Sequence, residues 1–252
     1  MASHGGRYTT IGFSSHGAFP YGVKWLLISN IALFVLYFFA VRTGLDGLFY
    51  YFGLVPRHVV GSLAVWQLAT YMFLHDPFGF GHVLFNMLTL WMFGADLERT
   101  WGTRRFLQYY FLCGVGAGIC VVIGNALFGT MGTRTIGASG AIYGLLLAFG
   151  MLYPNTTVLF SFLFPIKAKY FVMILGAIAF LSSLGSTGGG VSHVAHLGGM
   201  IFGYFYLRSK FIRLDWLGSL QREYEAWRRG RAKRKFQVYL RKRDSGRDRW
   251  VN

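Results

Sequence analysis

Along the first four-fifths of the chain, long stretches free of Asp, Glu, Lys and Arg alternate with short stretches that carry them. Crossing a hydrocarbon core as a helix takes about 20 apolar residues, so the charges mark where such helices end. Six stretches qualify, at 24–41, 82–97, 105–127, 138–153, 169–186 and 191–207. The connection 42–81 is itself rich in apolar and aromatic residues, and Leu63–Leu74 has no charge at all. It reads as an interfacial or re-entrant loop that includes the approach to the second helix. The fold class expected is therefore an all-α polytopic membrane protein. Its parts are a cytoplasmic N-terminal segment (1–23), a six-span membrane domain (24–207) and a basic cytoplasmic tail (208–252).

Composition agrees with this reading: 54% hydrophobic residues, 13% charged and a mean hydropathy of +0.43 are values for lipid rather than water. Of 34 charged residues, 20 lie between Arg208 and Asn252, 15 of them basic, so the net charge of +16 is largely a property of the tail. A disordered chain, a secreted disulfide scaffold and a soluble nucleic-acid binder are all excluded by that distribution. Cys113 and Cys120 share one uncharged run. Seven residues apart on a helix, they lie roughly 10 Å from each other, too far to pair. No small-residue cleavage site follows Trp25–Val41, so that segment is expected to stay as a helix.

Orientation follows from the basic residues of the connections. One set holds Arg7, Lys24, Arg99, Arg104, Arg105, Lys167, Lys169 and the tail, the other only Arg42, Arg57 and Arg134. The richer set is cytoplasmic. Both termini are then inside, and the second, fourth and sixth spans begin near the outer face. The setting expected is a bacterial inner (plasma) membrane.

Strongly polar side chains are costly within spans and face the bundle interior or water when they occur. Here they gather at the starts of those same spans: His82 and Asn86 on the second, Ser139 within Gly137-Ala-Ser-Gly140 on the fourth, His193 and His196 on the sixth. A serine that opens a helix is ordinarily an N-cap. Gly137 and Gly140 shift that reading, because they free the backbone to turn and a neighbour to approach. His196 shares a helical face with Gly199 and Gly203, the ends of a GxxxG pattern that brings membrane helices close. A serine and a histidine at matching depth can act as nucleophile and general base, the imidazole taking the hydroxyl proton and returning it to a leaving amine. His82 and Asn86, one turn apart, could donate to an oxyanion, and Tyr143 could pack on the imidazole. Outside the tail only Asp46, Asp76, Asp96 and Glu98 are acidic, so a Ser-His dyad without aspartate is the economical arrangement.

The segments His82-Val-Leu-Phe-Asn86, Gly137-Ala-Ser-Gly140 and Ala195-His196-Leu-Gly198-Gly-Met-Ile-Phe-Gly203 together resemble the rhomboid family of intramembrane serine proteases, over about residues 24–207. The resemblance implies a six-helix rhomboid-like bundle open to water from the outer face. It also implies a dyad on Ser139 and His196, an oxyanion site on His82 and Asn86, and Tyr143 beside the histidine. Substrates would be single-pass or other transmembrane proteins, and no cofactor or metal is expected. Glu98 and Arg99 are similar to the family's Glu-x-Arg-type segment, although adjacent here. Trp66-Gln67 stands where a Trp-Arg pair is typical, which bears on how the first loop is anchored.

Two other readings compete. A metal transporter could use His75, His82, His193 and His196, but sulfur or acidic ligands are missing from the spans. A catalytically inactive rhomboid-like protein that binds membrane helices would keep the bundle and lose the dyad. The tail, with Arg228-Arg-Gly-Arg-Ala-Lys-Arg-Lys235 interleaved by Trp227, Phe236 and Tyr239, suits anionic lipid more than nucleic acid.

Overall fold

The structure, a computed structural model, describes residues 19–160, 164–185 and 193–208. Expectations for the N-terminal segment before residue 19, for the basic tail from residue 209 and for the start of the sixth span at 191–192 lie outside them. Among the described residues ten α-helices run in chain order: α1 (Tyr21–Thr43), α2 (Gly47–Tyr50), α3 (Pro56–Gly61), α4 (Gln67–Thr70), α5 (Phe80–Thr89), α6 (Ala95–Trp101), α7 (Thr103–Leu127), α8 (Ser139–Leu152), α9 (Ala168–Gly185) and α10 (His193–Arg208). The stretch expected at 82–97 is a single helical run from Phe80 to Trp101. It widens by one turn at Leu90–Gly94, between α5 and α6.

Two of these helices, α1 and α7, are long and apolar enough to cross a membrane. The fourth expected stretch, 138–153, forms only the 14 residues of α8. At 1.5 Å per residue these cover about 21 Å, less than the roughly 30 Å of a hydrocarbon core. A short antiparallel hairpin, β1 (Thr157–Phe160) with β2 (Phe164–Lys167), joins α8 to α9 and has no counterpart in the sequence expectation.

Polarity is inverted relative to a protein built for water. Large apolar side chains such as Ile31, Leu36 and Phe39 on α1, or Met173, Ile178 and Leu181 on α9, are exposed. Asn30, Gln67, His75, Asn86, Glu98 and His196 are buried. Exposed apolar faces on this scale require a nonpolar surrounding, and buried polar groups then satisfy one another.

The centre of the bundle is α10, packed on both α7 and α8, with α9 against α10 and α8. Small residues permit this. A methyl group added at Gly199 would run into the Gly140 carbonyl on α8, and one at Gly198 would come within 3.1 Å of the Ala117 backbone on α7. Gly203 does not continue the contact with α8: it faces Tyr109 and Cys113 of α7. The glycine stripe below His196 therefore serves two neighbours, where the sequence suggests one, because α10 lies in the groove between them.

Polar clips fix the periphery. The buried Glu98 carboxylate accepts from the Gly22 and Val23 N–H groups at 2.7 Å each, and from the Thr103 hydroxyl at 2.6 Å. A carboxylate there satisfies orphan donors at the start of α1 and faces the positive end of its dipole. Arg99 plays no part in this clip and pairs with Asp96 at 3.2 Å on the surface.

The first loop is held by one side-chain amide, an indole and one guanidinium. Gln67 uses both ends of its amide, accepting from Val55 N–H at 3.0 Å and donating to the Tyr51 carbonyl at 3.1 Å, which Trp66 Nε1 also reaches at 3.1 Å. From the connection before α8, Arg134 donates to the Phe49 carbonyl at 2.8 Å and to the Tyr37 hydroxyl at 2.9 Å. Two backbone bonds between Leu54 and Thr135 join the same segments.

Two outcomes are expected. Replacing Glu98 by Ala strands two buried N–H groups at about 1–3 kcal/mol each, so detergent unfolding should show a loss of about 2–6 kcal/mol, with Glu98→Gln falling between. Gly199→Ala, which meets backbone, should lower the melting temperature by the equivalent of about 1–3 kcal/mol. Gly176→Ala meets only the flexible end of Met200 at 3.3 Å and should change it little.

Candidate active site

Ser139 is the first residue of α8, after Ala138 at the cap position. Its hydroxyl does not cap the helix. It lies instead 2.8 Å from His196 Nε2, near the start of α10. The N-cap role considered for this serine is thus replaced by a contact between side chains 57 residues apart in sequence. Close passage of α8 and α10 at Gly140 and Gly199 makes that contact possible.

Three surroundings fix His196. The residue is 7% exposed, and its ring stacks on Tyr143 with centroids 4.1 Å apart and planes within 2°. Tyr143 stands one turn below Ser139 on α8, so the serine and the stacking partner share one face. His193 meets the imidazole edge-on at 5.9 Å. Among the described residues, no hydrogen-bonding group partners Nδ1 of His196. Three of the four carboxylates that precede the tail are engaged elsewhere: Asp76 accepts from Phe78 N–H at 3.0 Å within its own turn, while Asp96 and Glu98 serve the contacts already described.

Gly137 links the serine to the second group of polar residues. Its backbone has φ of +124°, a conformation only glycine takes easily, and its N–H is bound by the Tyr71 carbonyl at 2.9 Å. A methyl at Gly137 would come 2.9 Å from the His82 ring and 3.9 Å from Asn86 Nδ2. Both side chains expected to serve an oxyanion therefore face the backbone just before Ser139. The free N–H groups of the first turn of α8 add donors of the same kind.

His75, considered in the sequence only as a possible metal ligand, is fully buried here, and its Nε2 lies 3.0 Å from Asn86 Nδ2. Its ring meets His82 edge-on with centroids 5.1 Å apart. No group of three His, Cys, Asp or Glu placed to hold a metal ion occurs among the described residues. Nothing periodic marks His75, since it lies in a loop. Its spacing of 11 residues from Asn86 becomes meaningful only once the turn at Asp76–Gly79 is known.

The arrangement offers a hydroxyl bonded to an imidazole, with amide and imidazole donors beside the same backbone. The rhomboid domain matches residues 62–212. Rhomboid protease GluP of Bacillus subtilis is 33% identical over 154 residues, which cover 61% of this chain and 28% of that protein. The putative rhomboid protease YdcA of the same organism is 34% identical over 142 residues, 55% of this chain and 64% of the relative. Rhomboid protein 1 of Saccharomyces cerevisiae mitochondria is 31% identical over 138 residues, half of this chain and 37% of the relative. In each case the match takes in less than two thirds of the relative's length. Members of this family are integral membrane proteins, and by the extent of the domain match this chain belongs to the rhomboid family.

Proposed function

We propose that the chain is an intramembrane serine endopeptidase that cuts transmembrane proteins through a dyad of Ser139 and His196. The observation that carries this reading is the 2.8 Å contact between Ser139 Oγ and His196 Nε2, in a ring stacked on Tyr143. Ser139 Oγ attacks the scissile carbonyl while His196 Nε2 takes its proton. The tetrahedral oxyanion is met by Asn86 Nδ2, by a His82 N–H and by the backbone N–H of Ser139. Collapse expels the amine, which receives the proton from His196. Water then repeats the sequence on the acyl-enzyme. Loss of one oxyanion donor in such a site costs about 10²–10³ in kcat.

The membrane reading has six spans: α1, the α5–α6 run, α7, α8, α9 and α10. Both ends lie on the cytoplasmic side by the count of Lys and Arg. Because α8 covers only about 21 Å, a helix ending at the inner boundary begins about 9 Å short of the outer one. Ser139 then lies recessed beneath the outer surface, where water must reach it from that side. The basic tail holds anionic lipid of the inner leaflet.

Ser139→Ala and His196→Ala should each abolish cleavage of a single-span substrate by purified protein, with melting temperatures close to that of the parent, since the two act as one unit. Labelling of Ser139 by a fluorophosphonate separates this reading from an inactive helix-binding protein. Retained cleavage by folded Ser139→Ala would sink the assignment.

Position of cutting provides another expected outcome. A helical substrate hides its carbonyls in i to i−4 bonds and must unwind to be cut, so segments with Gly or Pro near the outer boundary should be favoured. Moving one cleavable segment to the cytoplasmic boundary and mapping products by mass spectrometry should show cutting lost. Equal cutting there would mean that the orientation or the site is wrong.

A further inference from the structure

Asn86 holds its amide nitrogen 3.0 Å from Nε2 of His75, and the direction of that contact is dictated by chemistry. An amide nitrogen carries two protons and accepts nothing, so the imidazole nitrogen must accept. Nε2 is then bare, the ring is neutral and its proton is on Nδ1, which is buried without a hydrogen-bond partner among the described residues. One amide proton is taken by His75, and the other is left for the backbone at Gly137, where a methyl group would lie 3.9 Å from the same nitrogen.

Left to itself, an asparagine amide is free to turn, because its terminal torsion is broad and nearly two-fold. The turned amide would present Oδ1, an acceptor, to a developing negative charge and repel it. His75 is well placed to prevent this. It is 0% exposed, fixed in the loop between Phe73 and α5, and braced edge-on by His82 at 61° between ring planes. We propose that His75 is a positioning residue that holds the Asn86 amide with an N–H aimed at the oxyanion. The proposal rests on the protease reading and assigns its oxyanion site a support that the sequence motifs do not contain.

The test uses the full chain in lipid. With a single-span substrate, His75→Leu should lower kcat by about 10–10³-fold, up to the loss of a whole donor, with KM within about threefold. His75→Gln, whose amide oxygen can still accept, should recover at least about tenfold of that loss. A kcat for His75→Leu within about threefold of the parent overturns the proposal. So does equal loss in both variants, which would mark a merely structural role. A second measurement does not need turnover. In nitrogen-15 histidine spectra, the His75 signal, identified by its disappearance in His75→Gln, should show Nε2 unprotonated and should shift on Asn86→Ala. A protonated Nε2, or no shift, overturns the contact even in an active protein. If the contact is found but the parent neither cuts the substrate nor labels at Ser139, the protease reading fails and the catalytic purpose of His75 fails with it.

Discussion

Everything at the candidate site depends on two backbones passing where no side chain fits. Gly199 of α10 faces the Gly140 carbonyl of α8 so closely that even a methyl group has no room. The Ser139 to His196 hydrogen bond cannot be the cause of this approach. Between membrane helices such a bond contributes on average about 0.6 kcal/mol. Dispersion across close-packed glycine faces, summed over many atom pairs, contributes more. The hydrogen bond is therefore a consequence of packing, and its length is set by the glycine next to Ser139 and the one a turn below His196.

The same reasoning explains how an imidazole can be held without a carboxylate. In a triad the acid orients the ring and fixes its tautomer. Here orientation comes from the parallel stack on Tyr143 and from burial on α10, both governed by the α8 to α10 approach. One contact between helices thus sets the position of Ser139, its distance to His196 and the plane of the imidazole. A second set of groups, His82, Asn86 and the His75 behind them, belongs to α5 and the loop before it, and reaches the serine across Gly137.

This division decides what can be read from the sequence. Helices α1, α7 and α9 follow the gaps between charges to within three residues at each end, because lipid excludes charge over a fixed thickness. Ser139, His196 and Gly199 are legible through their place at helix starts and their i+3 spacing. Glu98 is visible as part of a motif, but its partners, the N–H groups of Gly22 and Val23, lie more than 70 residues away and leave no local trace. His75 and Arg134 act from loops, where neither a period of 3.6 nor one of 2 applies. The partition of the glycine stripe between α7 and α8 is hidden for another reason. A GxxxG pattern says that a helix has a close neighbour, and a single sequence does not say how many.

The first loop shows how a departure from a family pattern can preserve a physical requirement. Backbone carbonyls at Phe49 and Tyr51 need donors, since an unsatisfied group shielded from water costs several kcal/mol. An arginine at position 67 would meet that need from a site that is only 1% exposed, and would bring a buried charge with it. Glutamine supplies a donor to Tyr51 and an acceptor to Val55 without charge. The guanidinium is provided instead by Arg134, less deeply placed, over the rings of Tyr37 and Tyr50 at 5.6 and 5.5 Å. That position lies in the connection leading to Gly137 and Ser139. Anchoring the loop from there ties it to the segment that carries Ser139, so the polar groups that keep the loop in place also hold the start of α8.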